Sequence, residues 1–349
     1  MDKVVALSLF SGCGGLDVAS HLGGIPVIFS LDFDKDSVET LKANEMFNGS
    51  EIYCADVRDF PISKYKEALK KNKHDKFIII GGPPCQPFSK AGYWIGNKNR
   101  KIGKDPRNMV DEYVRILGEL KPDGFLFENV ESLLHPTNKK VFDKLIESIK
   151  ALKYNYKVIK ALALDYGVPQ KRRRIFVIGS KNKFKTNQPK KTHADLEVAR
   201  SLGLKPYESV AKFILKFDKD KYSEKEEVTI NGTYGEHLKL VPPGQNYLFL
   251  TAGRGNINPR FTANTRFWSF LLKLHPEQPS WTIAAQPGPW VGPFHWNNRR
   301  LRVPEIAAIQ TFPESYKFYG SRRSIQKQIG NAVPPLMGKA MIEFLKENI

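Results

Sequence analysis

Cysteine is scarce in this chain of 349 residues, and its scarcity argues against two classes of protein. The three cysteines, Cys13, Cys54 and Cys85, cannot pair into a closed set of disulfides and show no CxxC spacing. Neither a secreted scaffold held by disulfides nor a cysteine-ligated zinc site is indicated, and we expect no bound metal. This cysteine usage fits a protein of the reducing cytoplasm.

Long apolar runs are also lacking. The chain contains no stretch of about 18 apolar residues, which argues against an integral membrane protein. The apolar run at 4–10, followed by Ser11-Gly12-Cys13, resembles a lipoprotein signal, but the run is at the lower limit of length and Asp2 weakens the positive start. We therefore interpret it as a strand that leads into a loop and a helix.

Acidic residues are few relative to basic ones. The 36 Asp and Glu residues against 55 Lys and Arg residues give a formal net charge of +19 and a pI near 9.6. This excess predicts a polyanionic partner, such as nucleic acid or a membrane surface. The hydrophobic content of 41% argues against general disorder, and the length predicts about two domains.

Strand-like and helical patterns alternate through the first half of the chain. Strands are predicted at 4–10, 26–31, 51–54, 77–80, 124–127, 157–162 and 174–178. Helices are predicted at 37–47, 62–71, 109–120 and 140–152, where apolar residues recur at three-and-four spacing. This alternation is typical of a doubly wound α/β sheet. No clear helix separates the last two strands, which permits an antiparallel hairpin at the sheet edge.

The pattern changes after Gly179. A lysine-rich stretch at 181–191 is followed, up to about Trp296, by sequence rich in Pro, Gly, Asn and aromatic residues with little periodicity. We predict a second, smaller, irregular domain entered through a basic linker. Helical spacing returns at 334–348.

The ends of the first three strands predict a nucleoside site. A glycine-rich turn follows the first strand, but Asp17 stands at the third glycine of the GxGxxG fingerprint, which disfavours a dinucleotide cofactor. Asp32 is placed to bind a ribose diol, Phe33 could stack on adenine, and Asp56 could accept from an adenine amino group. The phosphate-binding motif GxxxxGK[ST] is missing, which favours S-adenosylmethionine.

Two further acids, Asp34 and Asp36, follow the second strand. Carboxylates favour the first turn of a helix, so we interpret both as helix-start residues and not as ligands.

A lone cysteine between prolines follows the buried strand at 77–80. Cys85 lies in GGPPCQPFS, where a nucleophile would be presented at the carboxyl end of a parallel sheet; the alternative is a buried structural cysteine. Glu128 leaves the strand at 124–127, and burial would raise its pKa so that it can donate a proton; the alternative is a helix cap. Gln170, Arg172 and Arg174 alternate along a predicted edge strand and would share one face.

The ordered motifs resemble those of the DNA (cytosine-5) methyltransferase family, bacterial restriction-modification type. The resemblance covers roughly residues 4–179 and 298–348. Its motifs are FSGCGG, the acids Asp32 and Asp56, GGPPCQPFS, FENV, QKRRR, the RxL element with Arg299 and Glu305, and QIGNAVPP at 328–335. One departure is Pro304, where many members carry arginine, which puts local interdomain packing in doubt.

The resemblance implies a fold, a reaction and a role for each matching residue. The fold would be a Rossmann-like methyltransferase sheet with a smaller target-recognition domain, and methyl transfer to carbon 5 of cytosine would proceed through Cys85 on a flipped-out base. Catalytic roles are implied for Cys85, Glu128, Arg172 and Arg174. Cofactor contacts are implied for Phe10, Ser11, Gly12, Gly14, Gly15, Leu16, Asp32, Phe33, Asp56, Val57, Pro83, Asn331 and Ala332. Candidate DNA contacts are Ser89, Arg100, Gln170, Arg254, Arg260 and Arg299.

The same resemblance implies an organisation and partners. Residues 1–180 would form the catalytic domain, 181–297 the target-recognition domain, 298–333 the connecting motifs and 334–349 a helix packed on the catalytic domain. Residues 90–105, with Lys98, Arg100, Lys101 and Lys104, would be either a mobile lid or a solvated loop. We expect a cytoplasmic, nucleoid-associated monomer that acts on double-stranded DNA and is paired with a restriction endonuclease.

Three alternatives stay open from the sequence. The first is a tRNA cytosine-5 methyltransferase, disfavoured because the irregular segment here is over a hundred residues long. The second is a non-catalytic DNA-binding protein on the same fold, disfavoured because Cys85, Glu128 and Arg174 are all present. A nicotinamide oxidoreductase is weaker still.

Overall fold

The alternation predicted from the sequence is confirmed. A computed structural model of the protein describes residues 2–84, 109–224, 232–262 and 267–349. The strands of the first half are β1 (Val4–Leu9), β2 (Val27–Asp32), β3 (Glu51–Cys54), β4 (Lys76–Gly81), β5 (Gly124–Asn129), β6 (Asn155–Leu162), β7 (Gln170–Lys171) and β8 (Arg173–Ser180). The helices between them are α1 (Gly15–Leu22), α2 (Lys35–Lys42), α3 (Ile62–Lys71), α4 (Val110–Leu120) and α5 (Lys139–Ala151).

Seven of these strands form one sheet in the order β3-β2-β1-β4-β5-β8-β6. The first five are mutually parallel, whereas β8 is antiparallel to both β5 and β6. The predicted antiparallel hairpin is therefore confirmed, but the edge position was assigned to the wrong strand. β6 is the edge strand, and β8, which carries Arg174, lies inside the sheet.

Both faces of the sheet are covered because its strands carry apolar residues on both sides. In β1, Val5, Leu7 and Leu9 face α3, α4 and α5, whereas Val4 and Ala6 face the other side. That other side is covered by α1 and by the C-terminal helix α11 (Pro335–Glu347). A doubly wound α/β domain results.

The second half of the chain has less regular structure and a small core of its own. Its strands are β9 (His193–Ala194), β10 (Lys205–Pro206) and β11 (Ser280–Trp281), and its helices are α6 (Leu196–Leu202), α7 (Ala211–Ile214), α8 (Gly235–Leu240), α9 (Val303–Ile309) and α10 (Arg322–Asn331), before α11. One apolar cluster lies wholly within this half and contains Leu238, Val241, Tyr247, Leu248, Leu250, Leu271 and Phe294.

A third apolar cluster joins the two halves. This cluster contains Cys13, from the turn after β1, and Val18, from α1. They pack together with Leu301, Ile306 and Ile329 from the last part of the chain. The last part of the chain therefore packs directly against the turn that follows β1. Within the described ranges, no helix is long and apolar enough to cross a membrane.

Replacement of Gly179 by alanine tests the packing of the sheet. Gly179 in β8 lies opposite Phe125 in β5, and a Cβ atom at Gly179 would lie 2.0 Å from the fully buried Phe125 ring. We expect Gly179→Ala to lower the free energy of unfolding by about 1–3 kcal/mol or more, because the ring must move in a close-packed core. Denaturant unfolding measures the change.

Gly118 provides the matched control. It lies inside α4, where a Cβ atom would meet its nearest neighbour, Leu152, at an ordinary 3.4 Å. Gly118→Ala should raise the free energy of unfolding by up to about 1 kcal/mol through helix propensity. Equal stability of the two variants would contradict the packing described for β5 and β8.

Candidate active site

The turn after β1 has two sides with different surroundings. A Cβ atom at Gly14 would lie 2.7 Å from the Tyr316 hydroxyl oxygen, and one at Gly15 would lie 2.5 Å from the Val333 carbonyl oxygen. These glycines are required because the last part of the chain packs against the turn. Gly12 has a positive φ of 53°, and a Cβ atom there would meet nothing within 4 Å. The open side of the turn thus lies at Gly12.

Asp32 holds this turn in place. One carboxylate oxygen accepts from the Gly12 N–H at 2.7 Å, and the other accepts from the Asp34 N–H at 2.9 Å. Burial raises the pKa of Asp32, and these two N–H donors oppose the rise. Phe33 follows with 70% of its surface exposed, so its ring is available for stacking. A carboxylate, an open turn and an exposed ring therefore meet at the carboxyl ends of β1 and β2.

Asp34 caps α2, which confirms its interpretation as a helix-start residue. Its side chain accepts from the Ser37 N–H at 3.0 Å and from the Lys327 ammonium group at 2.8 Å. Asp36 lies in the first turn of the same helix. The Lys327 contact attaches α10 to the start of α2.

Asp56 follows β3 and forms an ion pair with Arg58. The guanidinium lies 2.5 Å from one carboxylate oxygen and lowers the pKa of Asp56. Its neighbour Val57 is buried in the core. Asp56 is therefore placed at the same edge as Asp32, whereas the Val57 side chain faces the core.

The segment Asn331-Ala332 lies against the packed side of the turn, at Gly15. Ala332 lies 3.1 Å from the Cβ position of Gly15, and Asn331 is exposed. Leu16 is buried between the sheet and α11, and Ser11 is buried beneath the turn.

Buried polar residues form a hydrogen-bond network beneath the turn after β1, and the sequence interpretation did not predict this network. The Asp17 carboxylate is fully buried and accepts from the hydroxyls of Ser8 (2.9 Å) and Ser30 (2.7 Å); the Ser11 hydroxyl donates to that of Ser8 at 2.9 Å. Burial raises the pKa of Asp17 to about 6, although both serine bonds oppose the rise. Serines inside the apolar strands β1 and β2 are the sequence signal that points to this network.

Glu128, which is buried at the carboxyl end of β5, forms an ion pair with the partly buried Arg174. The Arg174 Nε lies 2.8 Å from a Glu128 carboxylate oxygen, and burial raises the pKa of Glu128 against the opposing charges of Arg174 and Arg172. A Cβ atom at Gly82 would lie 2.6 Å from the other carboxylate oxygen. Asn129 donates to the Pro83 carbonyl oxygen at 3.2 Å. The Glu-Asn pair of β5 therefore contacts the Gly-Pro segment after β4.

Arg172 lies close to this pair but faces away from the surface. Its guanidinium is fully buried and donates to the carbonyl oxygens of Gly330 (2.8 Å) and Ala332 (3.0 Å). It therefore holds the end of α10 and the residue that follows it against β7 and β8.

Two candidate DNA contacts are corrected by burial. Gln170 is fully buried, donates to the Gln310 side chain at 2.8 Å and accepts from the Ile283 N–H at 3.1 Å. Arg299 is 7% exposed and binds the carboxylates of Glu305 and Asp218, at 2.7 Å each. Both side chains satisfy polar groups within the protein, so neither is available to a DNA surface.

Other candidates remain at the surface or fall outside the description. Arg254 and Arg260 are exposed on the loop that follows Leu250. Six residues named in the sequence analysis lie outside the described ranges: Cys85, Ser89, Lys98, Arg100, Lys101 and Lys104.

A cleft of about 670 Å³ opens beside Arg174. Lys171, Arg173, Trp281 and Thr282 line it, together with Glu131, Leu162 and Leu164. The cleft therefore combines basic, aromatic and apolar groups next to the Glu128–Arg174 pair.

The seven-stranded α/β sheet has the fold of S-adenosylmethionine-dependent methyltransferases, and solved structures agree on this fold. A putative DNA modification methyltransferase encoded in an E. coli prophage superposes with a TM-score of 0.66 at 22% identity, covering 99% of both chains. A substituted DNMT2 of Spodoptera frugiperda superposes with a TM-score of 0.67 at 17% identity, covering 98% of this chain and 99% of that one.

The chain belongs to the C-5 cytosine-specific DNA methylase family, whose sequence model matches residues 4–347. Type II methyltransferase M.SacI of Streptomyces achromogenes is 40% identical to it, over 99% of this chain and 94% of the relative. Type II methyltransferase M1.HphI of Haemophilus parahaemolyticus is 30% identical, over 98% and 87%. The protein is thus a DNA cytosine-5 methyltransferase, and the tRNA alternative is not favoured.

The buried carboxyl of Asp17 should make stability depend on pH. Its pKa of about 6 in the folded protein exceeds the ordinary 3.8, so the folded state binds the proton more tightly. The Asp17 contribution to the free energy of unfolding should therefore fall as pH rises from about 4 to 6, by at most about 1.4 kcal/mol per pH unit.

Asp17→Asn removes this titration and keeps a side chain of similar shape. We measure the unfolding free energies of the wild type and Asp17→Asn by urea unfolding from pH 5 to 7. The unfolding free energy of the wild type should fall relative to that of Asp17→Asn as pH rises. A difference independent of pH would show that Asp17 titrates at its ordinary value.

Proposed function

We propose that the protein methylates carbon 5 of a cytosine in duplex DNA, with Cys85 as the nucleophile and Glu128 and Arg174 as the groups that bind the ring. The observation that carries this proposal is the Glu128–Arg174 pair, 2.8 Å apart, at a strand end that contacts the Gly-Pro segment preceding Cys85. A carboxyl of raised pKa beside a guanidinium suits a heterocycle that must accept a proton while its carbonyl oxygen is held.

The cofactor pocket would lie on the open side of the turn after β1. Asp32 would accept from the ribose hydroxyls, and Phe33 would stack on the adenine. The Asp56 carboxylate would accept from the adenine amino group while it also binds Arg58. The turn, Pro83 and the segment Asn331-Ala332 would enclose the rest of the molecule. S-adenosylmethionine bound there supplies an electrophilic methyl group.

The chemistry follows from the resting reactivity of cytosine, whose carbon 5 is not nucleophilic. The Cys85 thiolate adds to carbon 6 while Glu128 gives a proton to N3, and Arg174 binds the carbonyl oxygen. Carbon 5 thereby becomes the nucleophilic carbon of an enamine. Methyl transfer to it would break the bond between the sulfonium sulfur and the methyl carbon and leave S-adenosylhomocysteine. Loss of the carbon 5 proton to a base then expels Cys85 as thiolate and restores the ring, and N3 returns its proton to Glu128.

The reacting atoms are stacked inside a duplex, so the base must be extruded into the site. We assign catalysis to residues 1–180, target recognition to 181–297, connection to 298–333 and helix packing to 334–349. Arg254 and Arg260 are exposed and would contact DNA, together with Ser89 and Arg100. A single asymmetric site requires no second subunit, and we propose a monomer.

Both relatives are named as type II methyltransferases. We propose that this protein protects host DNA against a restriction endonuclease of the same sequence specificity. Co-expression with a candidate nuclease, followed by digestion of the host DNA, tests this pairing. Bisulfite sequencing of that DNA identifies the methylated cytosine.

The role of Cys85 predicts a covalent adduct. DNA that carries 5-fluorocytosine at the target should trap the protein in the presence of S-adenosylmethionine, because the carbon 5 fluorine cannot leave as a proton. Denaturing electrophoresis would show the adduct with the wild type. Trapping by Cys85→Ala would refute the assignment, and transfer of labelled methyl groups to tRNA alone would refute DNA as the substrate.

Cys54 is an internal reporter for the proposed cofactor pocket. Its thiol is exposed, and the sulfur lies 3.6 Å from the Phe33 carbonyl oxygen, whereas Cys13 is buried. In a Cys85→Ala background we expect S-adenosylhomocysteine to slow the reaction of Cys54 with a thiol reagent, because the ligand would cover the Phe33 side of β3. A variant that also carries Asp32→Ala should lose this protection at the same ligand concentration. Unchanged Cys54 reactivity with bound ligand would place the cofactor elsewhere.

A further inference from the structure

One wall of the cleft beside Arg174 is built by two strands that are distant in sequence. β7 pairs in parallel with β11, with Gln170 opposite Ser280 and Lys171 opposite Trp281. The Thr282 hydroxyl donates to the Lys171 carbonyl oxygen at 2.7 Å. The wall is therefore fixed by backbone and side-chain hydrogen bonds on both sides of Trp281.

Lys171 and Trp281 form a cation–π pair on this wall. The Lys171 ammonium lies 4.5 Å from the centroid of the Trp281 ring. A second indole, that of Trp268, meets Trp281 edge-on with ring centroids 5.7 Å apart, and Trp268 is 45% exposed. The two indoles thus extend the wall from the cleft toward the surface.

Charge distinguishes this wall from the Glu128–Arg174 pair. Arg174 is paired with Glu128, whereas Lys171 and the exposed Arg173 have no carboxylate within ion-pair distance among the residues the structure describes. An ammonium on a partly exposed indole is held weakly compared with one that binds a phosphate. The wall therefore presents a cation that an anion can draw away.

We propose that Lys171 binds a phosphate of the DNA strand in this cleft and that it leaves the Trp281 ring to do so. This inference rests on the proposed function, because it takes duplex DNA as the substrate. The backbone phosphates are the anions that such DNA offers at every step of the strand, and a lysine neutralises them as a point charge. Lys171 is then a positioning residue for the target strand.

Lys171→Met tests the proposal, because it removes the charge and keeps an unbranched apolar stem. One lost phosphate contact reduces the slope of log K against log salt by about 0.9, which corresponds to roughly eightfold weaker DNA binding at 0.1 M salt. We expect this reduction, a raised KM for DNA and little change in kcat. The expected loss should be uniform across DNA sequences.

Lys70→Met is the matched control, with the same loss of charge. Lys70 is exposed on α3, which packs against β2 and α4 on the far side of the sheet order from β8. Its salt slope should equal that of the wild type. Binding of S-adenosylhomocysteine and the unfolding midpoint should be unchanged in both variants, which separates a lost contact from a failure to fold.

Indole fluorescence supplies a second readout. DNA binding should change the emission of the wild type as the ammonium leaves Trp281, and this component should be missing from both Trp281→Phe and Lys171→Met. A Lys171→Met salt slope equal to that of Lys70→Met, with wild-type methylation of DNA intact, would overturn the inference and leave the proposed function standing. No methylation of DNA by the wild type would instead overturn the proposed function.

Discussion

One buried cation joins the two ends of this active site. Arg172 lies between β7 and β8, yet its guanidinium binds the carbonyl oxygens of Gly330 and Ala332, about 160 residues later in the chain. A charge without solvent requires such acceptors, because desolvation is otherwise prohibitive. The same guanidinium also opposes the rise in the pKa of Glu128. The Arg172 side chain therefore contacts the end of α10 and also acts on the carboxyl group of Glu128.

The protonation of Glu128 is set by two opposing effects of that arrangement. Burial favours the neutral acid, whereas Arg174 at 2.8 Å and Arg172 behind it favour the carboxylate, and the net effect raises the pKa. A carboxyl group with these neighbours keeps its proton at a pH closer to neutrality than a solvent-exposed carboxyl group does. It can release that proton when a cytosine base enters the site. The geometry thus favours reversible proton transfer over a permanent charge.

Local pattern was sufficient for part of the first half of the chain. The bounds of β3 and α3 agree with the sequence prediction, and Asp34 caps α2 as expected. Glu128 lies at the carboxyl end of a buried strand, although β5 continues to Asn129 where the prediction ended it at residue 127. These features depend on neighbours within a few residues, where periodicity and capping preferences operate.

The surroundings of Gln170 and Arg299 could not be predicted in this way. The partner of Gln170 is Gln310, 140 residues away, and Arg299 meets Asp218 across 81 residues. A polar side chain in a basic motif resembles a ligand contact until its tertiary partner is known. The edge assignment of β8 was wrong for the same reason, since strand order is a tertiary property.

Arg299 joins the segment around Asp218 to the start of α9. Its guanidinium binds Glu305 at the start of α9 and Asp218 in the irregular half, and His295 lies 3.7 Å from the Glu305 carboxylate. Two carboxylates around one buried guanidinium define an angle as well as a distance, because its donors are planar. Apolar contacts alone are non-directional and would allow the two segments to slide past each other. The buried guanidinium therefore fixes the orientation of the segment around Asp218 relative to the start of α9.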